Sequence, residues 1–136
     1  MEFKKNSYLI STEKNKLDLE LIYGFLKNSY WAKDQPFEKI KTSIDNSLCF
    51  GLYKNEKQIG FARVLTDMAR IAHLADVFIL EPYRGMGLGK WLLQCIMAHP
   101  ELENINKWML ATKDAHSLYK KFGFKTLKTP EFYMEK

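Results

Sequence analysis

Along the chain the apolar positions first follow a helical period, then an alternating one, then a helical one again. A short apolar stretch at residues 8–11 predicts a strand. Leu17, Leu21, Ile22, Phe25 and Leu26 then recur at helical spacing, with Asn15 as the expected cap. Trp31 falls in a polar break. Pro36 suits the first turn of a second helix, whose inner face carries Phe37, Ile40 and Ile44. The period then changes. Residues 48–53 and 59–65 read as two strands around a polar turn at 54–57, a hairpin. Residues 71–80 are almost continuously apolar, as in a strand covered on both faces.

After a glycine-rich turn at residues 85–89, Leu88, Trp91, Leu92, Cys95 and Ile96 mark a helix that ends before Pro100. Residues 108–112 read as another strand. Asp114 is the expected cap of a helix carrying Ala115, Leu118, Tyr119 and Phe122, which Gly123 stops. Short strands at 124–127 and 132–135 finish the pattern. The expected order is β-α-α-β-β-β-α-β-α-β-β. Hairpins come early and strand–helix–strand crossovers late, which predicts an α/β fold: a mixed sheet with helices on both faces. The 136 residues contain no linker or repeat and read as one domain, 1–136.

Composition narrows the function without choosing it. The net charge of +5 suits a small anionic ligand, but the lysines are scattered and no nucleic-acid-binding motif is present. Cys49 and Cys95 lie in apolar runs outside any CxxC spacing, so buried free thiols are expected and no metal site. No apolar run reaches the length of a membrane span and no signal-peptide pattern opens the chain; a cytoplasmic protein is expected.

The segment from Asp76 to Trp91, DVFILEPYRGMGLGKW, carries the most chemistry. A buried strand runs into a glycine-rich turn that opens a helix. Such a junction aims unpaired backbone N–H groups and the positive end of a helix dipole at one point, where phosphate oxygens bind. Glycines let the backbone approach those oxygens, and Arg84 offers a charge-assisted contact. A Walker A loop is excluded because Gly89-Lys90 is followed by Trp91 and not by Ser or Thr. The alternating Gly85, Gly87 and Gly89 do not match the dinucleotide spacing GxGxxG.

The pattern Arg84-x-x-Gly87-x-Gly89 after a hydrophobic strand resembles the acetyl-CoA signature of the GNAT family of N-acetyltransferases. A second segment, Asp114-Ala-His-Ser-Leu-Tyr-Lys-Lys-Phe-Gly-Phe124, resembles that family's later helix through Ala115, Leu118-Tyr119 and Gly123-Phe124. Thr112 stands where many members carry Asn. The resemblance implies the GNAT acyl-CoA N-acyltransferase fold, with acetyl-CoA as cosubstrate. Arg84, Gly85, Met86, Gly87, Leu88, Gly89 and Lys90 would hold its pyrophosphate, and Phe78 and Ile79 would flank its pantetheine arm. It also implies direct transfer of the acetyl group to a primary amine of a small molecule or peptide.

That chemistry needs a proton donor for the departing thiolate, a donor for the oxyanion and a sink for the amine proton. Tyr119 is the candidate acid by its family position, and as a residue sharing a face with Ala115 and Phe122 it also reads as core. A backbone N–H within residues 77–79, freed by a bulge, is the candidate oxyanion donor. Asp76, a carboxylate in an apolar run, is the candidate base; pairing with Arg63 or Arg70 is the equal structural reading. His73 and His116 are further candidate bases, each reading first as an ordinary polar residue, and Glu81 at the loop mouth reads as solvated. Tyr30, Trp31, Phe61, Arg63, Thr66 and Asp67 are the candidate acceptor-site lining, with Arg63 suited to an acceptor carboxylate. A non-catalytic acyl-CoA-binding module is the competing function on the same fold. The final strands and exposed aromatics are the candidate face for a homodimer.

Overall fold

The computed structural model describes residues 1–136. Six strands form one sheet in sequence order: β1 (Glu2–Lys5), β2 (Tyr8–Ser11), β3 (Leu48–Lys54), β4 (Lys57–Thr66), β5 (Ile71–Ile79) and β6 (Lys107–Met109). All neighbours are antiparallel except β5 and β6, which run parallel around the crossover helix α3 (Leu88–Ala98). Helices α1 (Leu19–Leu26) and α2 (Phe37–Asp45) precede β3, and α4 (His116–Lys120) follows β6. This is the mixed α/β architecture the patterning predicts.

Strand alternation divides the apolar residues between two cores, one on each face of the sheet. Phe50, Leu52, Ala62, Val64, Ala72 and Leu74 pack on one face against Leu88, Leu92, Leu93 and Ile96 of α3. Cys49, Phe61 and Phe78 pack on the other against Ile22 and Leu26 of α1 and Ile40 and Ile44 of α2. Two of the three hairpins close by two-residue turns. Asn55 and Glu56 have φ of 50° and 69° between β3 and β4, and Asn6 has φ of 56° between β1 and β2. Positive φ in such loops matches the right-handed twist of the strands.

Four local expectations differ from the structure. Strand β1 is polar and mostly exposed, so no apolar alternation announces it; it forms because its backbone pairs with β2. Asn15 does not cap α1. It lies in a 3-10 turn, Lys14–Lys16, and the Asp18 carboxylate accepts from the Leu21 N–H instead. Asp114 does not cap α4 either: the Ala115 N–H donates to the Thr112 hydroxyl at 3.1 Å. Finally, residues 124–136 add no strand to the sheet, and contain only a 3-10 turn at Pro130–Phe132. Phe132 and Met134 are left exposed there.

Candidate active site

The site begins where the sheet comes apart. β5 and β6 pair only at Ile71↔Lys107, Ala72↔Trp108 and His73↔Met109. Beyond His73 the β6 side of β5 has no strand partner, and a cleft of ≈ 1390 Å³ opens between the two strands. Its walls include β5 from His73 to Ile79, the segment from Leu110 to Asp114, and Tyr119 of α4.

A bulge shapes the β5 wall. Phe61 pairs with Phe78 and Arg63 with Ala75, so β5 holds one more residue than β4 in this interval. Asp76 takes up the excess with φ of 53°. The bulge resets the alternation. Leu74 and Val77, three positions apart, both pack toward the α3 core, and Phe78 turns to the α1–α2 core.

The backbone directions follow. The Leu80 N–H donates to the Ile59 carbonyl, toward β4. Alternation therefore turns the peptide groups of Phe78 toward β4 and those of Val77 and Ile79 toward the cleft. The Arg84 Nε–H donates to the Ile79 carbonyl at 2.9 Å on that side. Of the two residues expected along a pantetheine arm, Ile79 offers its backbone. Phe78 offers only its ring, which is buried and stacked on Phe25 with centroids 4.0 Å apart.

At the other end of the cleft the glycine loop meets α3. Gly85 and Gly87 have φ of 80° and 78°, and Gly87 is the N-cap. The first helix bond is from the Trp91 N–H to the Gly87 carbonyl. The N–H groups of Gly85, Met86, Gly87, Leu88, Gly89 and Lys90 have no acceptor within the protein. Met86 and Lys90 are exposed, and the Leu88 side chain is buried in the α3 core. The loop thus presents a row of free donors at the positive end of a helix, a cradle suited to pyrophosphate oxygens.

Tyr119 borders the cleft, and its ring packs on Phe124 at 5.9 Å. Its hydroxyl has no protein partner, and burial raises its pKa above the ordinary phenol value, with smaller contributions from Tyr30 and Asp114. At the start of its helix the Thr112 hydroxyl accepts from the Ala115 N–H.

Asp76 is held from two sides. Its Oδ2 accepts from Arg63 Nε at 2.9 Å and its Oδ1 from Trp31 Nε1 at 2.9 Å. Arg63 Nη1 also donates to the Ser47 hydroxyl at 3.1 Å. The ion-pair partner is therefore Arg63 and not Arg70. Trp31, Arg63 and Tyr30 all line the cleft. The Tyr30 hydroxyl accepts from the Lys113 N–H at 2.9 Å, which ties the α1–α2 connection to the segment after β6.

Three acceptor-lining expectations do not hold. Phe61 is fully buried beneath Phe78 and belongs to the core. Asp67 sits in the β4–β5 turn, where its carboxylate accepts from the N–H groups of Ala69, Arg70 and Ile71; these bonds lower its pKa. Thr66 serves the same turn, donating to the Ile71 carbonyl. Ser47 and Lys113 join the site without any signal in the sequence, since one acts as a partner of Arg63 and the other through its backbone. His73 is exposed at the fork of β5 and β6. No three His, Cys, Asp or Glu side chains cluster as a metal site requires. No helix is long and apolar enough to cross a membrane.

A parallel pair of strands that fork, a bulge beside the fork and a donor-lined glycine loop together bound one open cleft. The comparisons with known proteins give the family. Residues 45–126, more than half of the chain, match the model of the acetyltransferase (GNAT) domain. A solved structure from Xanthomonas campestris pv. campestris, assigned to the GNAT family, is 42% identical with a TM-score of 0.92, covering 95% of this chain and 92% of that one. The uncharacterized N-acetyltransferase ycf52 of Pyropia yezoensis is 32% identical, over 96% of this chain and 75% of its own. Glucosamine-6-phosphate N-acetyltransferase of Arabidopsis thaliana shares the fold at 21% identity, with a TM-score of 0.63 over 95% of this chain and 97% of that one. The chain belongs to the GNAT family of acetyltransferases.

Proposed function

We propose that this protein transfers an acetyl group from acetyl-CoA to a primary amine of a small molecule or peptide. The observation that carries this reading is the continuous row of unpaired N–H groups from Gly85 to Lys90, set beside the open edge of β5. The loop donors and Arg84 would hold the pyrophosphate, and the Ile79 backbone would fix the pantetheine arm. Acetyl-CoA supplies the activated thioester. The Val77 N–H, turned toward the cleft by the bulge, would receive the negative charge that builds on the carbonyl oxygen when the amine attacks.

The C–N bond forms as the C–S bond breaks; the attacking nitrogen gives up one proton to solvent water at the mouth of the open cleft, and the departing thiolate takes one. Tyr119 would give the thiolate its proton. A phenol is protonated at neutral pH, and burial makes this one a weaker acid than an ordinary tyrosine, so proximity has to supply the transfer. A phenol of pKa about 10 or above protonates a thiolate whose acid has pKa about 8.5 only when held close to the sulfur. A hydroxyl on the cleft wall with no protein partner supports the assignment.

Calorimetric titration with acetyl-CoA, with ATP as a control, tests the reading. Wild-type protein is expected to bind acetyl-CoA in the micromolar range and ignore ATP. Gly87→Glu places bulk and negative charge on the cradle and is expected to abolish binding in a protein that still folds. Unchanged affinity in that variant would remove the loop from the site.

A further inference from the structure

Asp76 stands at the most constrained point of the β5 wall. It is a non-glycine residue at positive φ, a conformation that costs about 1–2 kcal/mol and persists only where its surroundings over-determine it. Those surroundings come from two other elements. Arg63 reaches it from β4, itself steadied by Ser47, whose hydroxyl donates to the Ser43 carbonyl of α2 at 2.6 Å. Trp31 reaches it from the α1–α2 connection. Trp31 is in turn packed edge-on to Tyr30 at 5.1 Å and tilted against Phe25 at 6.3 Å, and Tyr30 is fastened across the cleft to Lys113. Both carboxylate oxygens already accept hydrogen bonds, one of them in an ion pair whose side chains are 16% and 8% exposed.

A carboxylate so engaged suits holding better than proton exchange. The residue immediately after it, Val77, carries the backbone N–H that the bulge turns into the cleft. We infer that Asp76 is a positioning residue for acyl transfer: its bonds to Arg63 and Trp31 fix the bulge and hence the aim of the Val77 N–H at the thioester carbonyl. This inference rests on the acetyl-CoA reading of the cleft. It assigns Trp31 to the same task, through its indole N–H. The aim of the donor thereby depends on the Tyr30–Trp31 segment being seated over the cleft.

The test needs no acceptor amine. The carbonyl stretch of acetyl-CoA labelled with ¹³C at the thioester carbon is measured by difference infrared spectroscopy, free and bound, alongside affinity by calorimetry. Bound to wild-type protein, the band is expected to move to lower frequency, as a directed hydrogen bond requires. Asp76→Asn replaces one acceptor oxygen by a donor and is expected to lose most of that shift while affinity changes less than threefold, because the loop is untouched. Trp31→Phe keeps a ring in place but removes the donor, and is expected to give an intermediate shift at unchanged affinity. The double variant is expected to match Asp76→Asn alone, since both act through one bulge.

A full wild-type shift in Trp31→Phe together with folded Asp76→Asn would overturn the inference. So would a bound wild-type carbonyl that shows no shift. If Asp76→Asn fails to fold, Trp31→Phe decides by itself: an unmoved band overturns the proposal. Absence of acetyl-CoA binding to the wild-type protein is the separate outcome that would bring down the acetyl-CoA reading and this inference with it.

Discussion

At the scale of single residues, two tyrosines with raised pKa values have opposite meanings. Tyr119 is buried along its ring, but its hydroxyl borders the cleft without a protein partner. A proton donor in the reaction should be worth about 10²–10⁴ in rate. Tyr119→Phe is therefore expected to lower kcat by that order while leaving acetyl-CoA affinity nearly intact. Steady-state kinetics with an accepted amine, paired with calorimetry, checks both halves. Unchanged turnover would return Tyr119 to the core. Tyr53 is instead enclosed in the sheet face, and its hydroxyl is buried with no hydrogen-bond partner. An unsatisfied buried hydroxyl costs about 1–3 kcal/mol. Tyr53→Phe is expected to raise stability by about 1 kcal/mol or more, read as an increased urea midpoint with an unchanged slope. The ring itself must stay, because it fills the space over Gly51, where any Cβ would fall on it.

Among the elements, α4 is the most exposed to perturbation. It has only five residues, and its start relies on one side-chain bond, from the Ala115 N–H to Thr112. Helices this short gain little from propensity and depend on caps and packing. Thr112→Ala is expected to destabilise the protein by about 1 kcal/mol. It should also loosen Tyr119, so kcat should fall more than stability alone explains, with acetyl-CoA affinity retained. Thr112→Asn restores an acceptor and is expected to recover both. Thermal melts and kinetics on the pair would show whether the hydroxyl positions the tyrosine. The glycine loop behaves differently. Its main contacts are N–H groups that no side chain satisfies, so its geometry is set by Gly85 and Gly87 at positive φ and by the helix that follows.

For the whole molecule, the titrating groups define a pH range of maximal stability. Burial pushes the Cys49 thiol up to about 11 and the Cys95 thiol likewise up to about 11. It raises Tyr53 and Tyr119 as well. Groups with raised pKa hold their protons longer when folded than unfolded, so their contribution is complete below the unfolded values and is lost as pH rises. His99 is shifted the other way: burial lowers its pKa, so its contribution is present above about 6.5 and is lost as pH falls below it. Melting temperature is expected to be highest between about pH 7 and 8.5 and to fall on both sides. Cys49→Ala is expected to flatten the alkaline limb. A melting temperature that keeps rising beyond pH 10 would contradict the assignment of these buried protonated groups.

The sequence by itself determined the elements whose residues bury their own faces. The inner faces of α1 and α2, the β3–β4 hairpin, the apolar β5 strand and the start of α3 each carry a period that only one local structure satisfies. The glycine loop was legible for a related reason: alternating glycines between a strand and a helix dictate backbone conformation, and with it a row of free donors. Where the backbone or a distant partner decides, the sequence was silent or misleading. β1 exists through pairing alone. The residues after Phe124 read as strands but find no edge to join. Phe61 and Asp67, polar or aromatic near the expected site, are claimed by the core and by a turn. Asp76 is the sharpest case. Its isolation in an apolar run marked it as unusual, but its partners stand 13 residues away at Arg63 and 45 residues away at Trp31. Only the tertiary structure brings them together, because an ion pair and a bulge depend on which strands lie side by side, and local sequence does not encode that.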